Sequence, residues 1–271
     1  MATYVFSDIH GHPKPLDRML GELSPSEDDV FYMLGDMIDR GPDPIGAIRI
    51  VRSLPNVTVL MGNHENMMLD CLIGTGAGEG RDAYMSWLTW QVNGGEVTAR
   101  GLDALPDEEA NEIVDWVTHL PFHARTHVAG RDWLLVHAGI RPGAAMPRGL
   151  WTETELDYVL DAQTAEDLLW IRDEFWGNPT GYLDGKGHGP VVIAGHTPTP
   201  VVERIADRYM ERSLWGGRAR IMRLGACEAT GGVPDRIAID CGAGSGSGMG
   251  RLSMLRLDDN EVFYADILPG E

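Results

Sequence analysis

Three short polar clusters, each flanked by glycine and each set straight after an apolar run, dominate the first 65 residues. Ser7-Asp8-Ile9-His10-Gly11 follows Val5-Phe6, Gly35-Asp36-Met37-Ile38-Asp39-Arg40-Gly41 follows Val30–Leu34, and Gly62-Asn63-His64-Glu65 follows Val57–Met61. A strand that ends in Asp, His or Asn as it enters a loop sets a hard or borderline metal ligand at one edge of a sheet. Three such edges side by side predict a metal site. Between the clusters, Pro15–Leu23 carries Leu16, Met19, Leu20 and Leu23 at helical spacing, and Asp43–Leu54 carries Ile45, Ile48, Ile50 and Val51. This βαβαβ start implies parallel strands with the ligands at their carboxyl ends, where open α/β sheets place their sites.

The rest of the chain extends the α/β pattern. Arg81–Val92 is aromatic and amphipathic, and Asp107–Leu120 opens on an acidic turn and stops at Pro121. Strands are expected at Trp133–Val136, Val191–Ala194, Arg236–Asp240, Leu252–Leu257 and Val262–Ile267. Gly74–Gly80 and Gly242–Gly250 read as loops that wrap a site or a sheet edge. With 271 residues and no linker or repeat, residues 1–271 are expected to form a single domain. No apolar run is long enough to span a bilayer, and the N-terminus enters a strand at once, so no membrane anchor or signal peptide is expected. Cys71, Cys227 and Cys241 are odd in number and far apart, which points to a reducing cytoplasm. The formal charge of −19 disfavours nucleic acid and anionic lipid as partners. A phosphate substrate would need a local reversal of that field.

Two further histidines stand in the same context as the clusters. Leu134-Leu135-Val136-His137-Ala138-Gly139 and Val192-Ile193-Ala194-Gly195-His196-Thr197 each place a histidine after an apolar strand and beside a glycine. A bridged two-metal site needs one carboxylate shared by both ions and two or three more ligands for each. Asp8, His10, Asp36, Asn63, His137 and His196 are the candidates.

The ordered set D-x-H, G-D-x-x-D-R-G and G-N-H-E resembles the binuclear metallophosphoesterases, and Arg40 in the second motif narrows the resemblance to the phosphoprotein phosphatase group. Asn93-Gly94-Gly95 with Thr98, Trp170-Ile171-Arg172 and Ala194-Gly195-His196-Thr197-Pro198 are most similar to bacterial and phage-type serine/threonine protein phosphatases. The resemblance implies two central mixed β-sheets flanked by helices. It assigns Asp8, His10 and Asp36 to one metal, and Asp36 (bridging), Asn63, His137 and His196 to the other. Two divalent ions are implied, Mn²⁺ first, with Fe or Zn as alternatives. Ions about 3.5–4 Å apart would acidify a bridging water for in-line attack on phosphorus. His64 would be the general acid with Asp39 as its orienter, a carboxylate partner being expected to raise the histidine's pKa. Arg40 and Arg172, with Asn63, would hold the phosphoryl oxygens.

No C-x5-R and no Ser-His-Asp order accompanies the cysteines, which agrees with a mechanism needing no protein nucleophile. His12, His119, His123, His127 and His188 read as loop or surface histidines, Glu65 and Asp173 as groups directly behind the ligands or at the surface, and Asp240-Cys241-Gly242-Ala243 as a neighbour of the site without assigned chemistry. The expected substrate is a phosphorylated protein or peptide, or a small phosphomonoester. Symmetrical diadenosine tetraphosphatases share D-x-H, the Asp-Arg-Gly motif and the His-Ala-Gly motif and form the alternative; a non-catalytic phosphate-binding scaffold is the second.

Overall fold

Tyr4 and Phe6 lie on one face of the first strand and Val5 on the other, and all three are buried, so this strand must be covered on both sides. The computed structural model describes residues 1–74, 82–144, 146, 150–206 and 208–271. Its strands are β1 (Thr3–Phe6), β2 (Val30–Met33), β3 (Val57–Val59), β4 (His123–Val128), β5 (Arg131–Val136), β6 (Val191–Ala194), β7 (Leu214–Trp215), β8 (Arg218–Ala219), β9 (Met222–Leu224), β10 (Arg236–Ala238), β11 (Arg251–Arg256) and β12 (Val262–Asp266). Its helices are α1 (Pro13–Leu23), α2 (Pro44–Ser53), α3 (Asn63–Leu72), α4 (Ala83–Val92), α5 (Glu96–Asp103), α6 (Asp107–Thr118), α7 (Glu153–Asp161), α8 (Ala165–Trp170), α9 (Asp173–Trp176) and α10 (Thr199–Ile205).

Two five-stranded mixed sheets result. One runs β12-β11-β1-β2-β3 and the other β4-β5-β6-β10-β9. Their parallel cores are β1-β2-β3, with Val5 opposite Tyr32, and β5-β6-β10, with Ile193 opposite Ile237. The tail strand β11 returns antiparallel beside β1. Alternation along each strand then sorts the core. Val5, Leu135, Ile193, Ile237 and Leu255 fill the space between the sheets. Tyr4, Phe6 and Phe31 pack under α1, α2 and α6, while Leu134, Val136 and Val192 pack under α7, α8 and α9. Helices therefore flank two central sheets, as the resemblance implied.

The expected helices and strands are present with ends shifted by a few residues. Three differences affect the site. The third cluster opens α3, so Asn63 and His64 sit in its first turn and not in a loop. The expected strand Arg236–Asp240 stops at Ala238, which leaves Asp240 in the connection beyond it. β4 was not foreseen, because its half-buried residues alternate weakly on a sheet edge. The expected loop Gly74–Gly80, Gly74 apart, lies outside the described residues, as do Arg81 and Arg148. Among the described residues, no helix is long and apolar enough to cross a membrane.

Candidate metal centre

The clusters meet because the ends of β1, β2, β3, β5 and β6 point the same way. Backbone hydrogen bonds lock the ends together: Asp8 N donates to Gly35 O (3.1 Å), His10 N to Asp36 O (3.0 Å) and Gly195 N to His137 O (2.8 Å). The two sheets are joined at the site itself, where His196 N donates to both carboxylate oxygens of Asp8 at 3.1 and 3.0 Å. Asp8, His10, Asp36, Asp39, Arg40 and His196 all have positive φ, between 47° and 69°. Six non-glycine residues in the left-handed region within one site mark backbone held against its own preference by the surrounding packing. Gly35, at φ +92°, has no such freedom to lose: a Cβ there would lie 2.5 Å from Gly62 Cα, so the second and third clusters approach only because this residue is glycine.

All six ligand candidates are buried, and their donor atoms converge. Asn63 Oδ1 is 2.9 Å from both His137 Nε2 and His196 Nδ1, and those two nitrogens are 3.2 Å apart. Asp36 divides its carboxylate between two sides, with Oδ1 3.5 Å from His137 Nε2 and Oδ2 3.6 Å from His10 Nε2. His10 Nε2 is also 4.0 Å from Asp8 Oδ1. Ligands bound to one ion at about 2.1 Å stand roughly 3–4 Å from each other, depending on the angle between them, so these separations fit two adjacent cation sites sharing Asp36.

The donor chemistry fits as well. His10 Nδ1 meets Ile38 O at 3.1 Å and His137 Nδ1 meets Leu34 O at 2.7 Å, so each ring directs the lone pair of Nε2 inward. His196 turns Nδ1 toward Asn63 Oδ1 and His137 Nε2, so Nδ1 is the atom a cation at the centre would meet, while its Nε2 is buried with no partner. Burial holds His137 down to about 3 and pushes His10 and His196 well below the ordinary histidine range, which keeps all three neutral and able to bind metal. Burial, then the mutual repulsion of neighbouring carboxylates, drives Asp8 and Asp36 upward.

His64 and Asp39 are joined as expected, with His64 Nδ1 2.7 Å from Asp39 Oδ2. Asp39 is itself fixed by Trp90 Nε1 at 3.0 Å and by Thr98, whose hydroxyl accepts from Asp39 N (3.0 Å) and donates to Asp39 Oδ1 (2.6 Å). One expectation needs correction. Asp39 does raise the His64 pKa, but burial outweighs it and the net shift is downward. His64 Nε2 also comes within 3.9 Å of Asp36 Oδ2, which puts it on the flank of the centre.

Both arginines reach the centre. Arg40 spans His10 and His64, its Nη1 and Nη2 each 2.9 Å from an Nε2. Half-buried Arg172 rests Nη1 on His196 O (3.4 Å) and on Thr197 Oγ1 (3.3 Å). The buried carboxyl of Asp240, raised to about 6 by burial, adds charge felt by Asp8 and by both arginines; its backbone carbonyl accepts from Thr199 N at 2.9 Å. Sequence reasoning had placed Asp240 nearby but given it nothing to do, and had not found Trp90. Glu65 is an inner brace: its carboxylate accepts from Asp36 N, Met37 N and Gly62 N at 2.8, 2.8 and 3.1 Å. Burial raises it to about 7. His12, expected in a loop or at the surface, lies in the turn ahead of α1 but is buried, with Nδ1 unpartnered.

Residues 1–226 match the calcineurin-like phosphoesterase family, and the chain belongs to that family. It is therefore a metallophosphoesterase-type hydrolase; Asp36, His137 and His196 converge where one of such enzymes' divalent ions could sit, and His10 and Asp36 converge at a second place that His64 flanks. The chain is similar to a symmetrical bis(5'-nucleosyl)-tetraphosphatase of Dechloromonas aromatica (strain RCB), 26% identical over 100% of this chain and 98% of that protein. A protein of the same name from Acidovorax sp. (strain JS42) is 32% identical over 66% of this chain; that match spans 57% of the Acidovorax protein, little more than half its length. A crystal structure described provisionally as a diadenosine tetraphosphatase shares the fold, at TM-score 0.51 and 17% identity over 99% of this chain and 94% of its own.

Proposed function

We propose that the protein is a metal-dependent phosphoester hydrolase that cleaves dinucleoside tetraphosphates symmetrically. The observation that carries this reading over the phosphoprotein phosphatase reading is the end-to-end alignment with the Dechloromonas protein, which bears that activity in its name. In this reading Asp8, His10 and Asp36 hold one ion, and Asp36, Asn63, His137 and His196 hold the other. Bound divalent ions supply positive charge that acidifies water and neutralises phosphoryl oxygens.

The chain's own groups do the rest. Arg40 and Arg172 approach from two sides and place guanidinium donors on the equatorial oxygens as negative charge develops. Asn63 offers its amide to the same phosphoryl group. His64, held by Asp39, delivers a proton through Nε2 to the departing oxygen once Arg40, whose Nη2 faces that nitrogen at 2.9 Å, has moved onto the phosphoryl group. The nucleophile in this reading is water, and burial pushes the thiol of Cys241 up to about 12, away from a thiolate.

A phosphomonoesterase acting on phosphopeptides is the second reading. It is favoured by the charge of −19, which repels a polyanion and attracts a peptide with basic flanks. Digesting diadenosine tetraphosphate and a phosphothreonine peptide under one Mn²⁺ condition decides between them. ADP as the sole nucleotide product, at a kcat/KM at least tenfold above that for the peptide, is expected. AMP plus ATP, or a peptide preference, would replace the reading.

A further inference from the structure

Beyond Arg172 the surface opens into a cavity of about 430 Å³, lined by Arg141, Glu166, Trp170, Arg172, Asp173 and Glu174. It begins where the metal centre ends. Ala138 N donates to Leu168 O at 2.8 Å, which straps the last turn of α8 to the connection carrying His137. The Trp170 ring meets His196 edge-on, centroids 6.0 Å apart, and Arg172 touches the His196 carbonyl from the other side. A group joined to the reacting phosphate through one more phosphate would pass Arg172 and arrive against Trp170.

The cavity wall specifies the chemistry of such a group. Arg141 is held by the buried Asp167 at 2.6 Å, so it is a fixed part of the wall. Among the described residues, Glu166, Asp173 and Glu174 make no ion pair within 4 Å, and all three are exposed. They offer acceptors and no donors. With four carboxylates, Asp167 included, against two guanidinium groups, the wall repels further phosphate. It suits a neutral, flat group rich in hydrogen-bond donors, and its volume is within the range of small-molecule sites. Ribose hydroxyls pair with carboxylates, as does an exocyclic amine, and a base has a face to lay on indole. A cationic side chain is the competing occupant, drawn by the carboxylates and repelled by Arg141 and Arg172.

From this we infer that the cavity is the nucleoside subsite, with Trp170 as the base platform, the Glu166, Asp173 and Glu174 carboxylates as acceptors for ribose and amine, and Arg172 as the gatepost for the intervening phosphate. The inference rests on the dinucleotide reading above but is tested apart from it. The probes are ADP and ribose 5-diphosphate, as inhibitors of p-nitrophenyl phosphate hydrolysis by the Mn²⁺-loaded enzyme. Both carry the intervening phosphate and they differ by the base, so the ratio of their inhibition constants isolates its contribution. Stacking predicts that ADP binds about tenfold tighter, that Trp170→Leu brings the ratio near one, and that Trp170→Phe keeps most of it. A ratio near one in the wild-type enzyme overturns the subsite, whatever the variants do. So does an unchanged ratio in Trp170→Leu. A tenfold preference for a phosphopeptide with Arg beside the phosphoserine over one with Glu there, with the ADP ratio at one, would give the cavity to a cationic side chain instead. Failure to cleave diadenosine tetraphosphate with the ADP ratio intact would sink the proposed function and leave the subsite standing.

Discussion

Nδ1 of His64 lies 2.7 Å from Oδ2 of Asp39, and both groups are buried with almost no exposure, so the imidazole is fixed with Nε2 turned toward the centre. Burial pushes the ring's pKa down and Asp39 pushes it up. Asp39→Asn removes the upward push and loosens the ring. An alkyl phosphate leaves as a strongly basic alkoxide and needs the proton, whereas p-nitrophenolate does not. Both Asp39→Asn and His64→Asn should therefore lower kcat by about 10²-fold or more for alkyl phosphates and far less for p-nitrophenyl phosphate. Equal losses for both substrates would mean that the pair is structural.

Arg40 and Arg172 should each cost about 10²–10³ in rate when replaced by Ala, as removing one donor aimed at developing charge commonly does. Arg172→Lys should recover little, because an ammonium cannot reproduce the two-pronged contact. Near-normal kcat/KM for Arg172→Ala beside a crippled Arg40→Ala would show that Arg172 does not touch the phosphoryl group.

Gly195 lies between His137 and His196, where a Cβ would fall 2.1 Å from Asp8 Oδ2 and 2.4 Å from Ser7 Oγ. Gly195→Ala must displace the Asp8 carboxylate, and with it the two hydrogen bonds from His196 N, while Asn63 and His137 keep their places. Metal analysis should find about one ion per chain in the variant where the wild type holds about two. Full metal content with full activity would count against Asp8 as a ligand.

Metal and pH should act together on stability. His10, His137 and His196 are depressed in the folded state, so below the ordinary histidine value the unfolded chain binds more protons and stability falls with acid. Asp8 and Asp36 are raised, so above the ordinary carboxylate value the folded chain holds protons that the unfolded chain has lost, and stability falls as pH rises. Metal needs both kinds of group deprotonated. The rise in Tm on adding Mn²⁺ to chelated protein should grow from pH 6 to pH 8. A pH-independent rise would place the ion elsewhere.

Much of the fold was legible because the local signals agreed. Leu16, Met19 and Leu20 keep helical spacing, Val191–Ala194 is an unbroken apolar run, and of the ligand candidates Asn63 opens α3 while the others each follow a strand within a few residues. What the sequence hid was long-range. The pairing of β11 with β1 across 250 residues has no local sign. Trp90, read as part of an amphipathic face, is drawn to Asp39 only once α4 and α5 wrap around the second cluster. Buried His12 shows the same limit, since burial depends on packing that no local pattern reports.

A two-ion centre bridged by Asp36 accounts for the way its Oδ1 and Oδ2 face His137 and His10, at 3.5 and 3.6 Å. The most direct measurement is bound metal and kcat for wild type, Asp36→Asn and Asp8→Asn, before and after exhaustive chelation. The account predicts about two ions per wild-type chain, loss of activity on chelation with recovery in Mn²⁺, and a larger loss of both metal and rate for Asp36→Asn than for Asp8→Asn. Full activity in the chelated wild-type enzyme would contradict it.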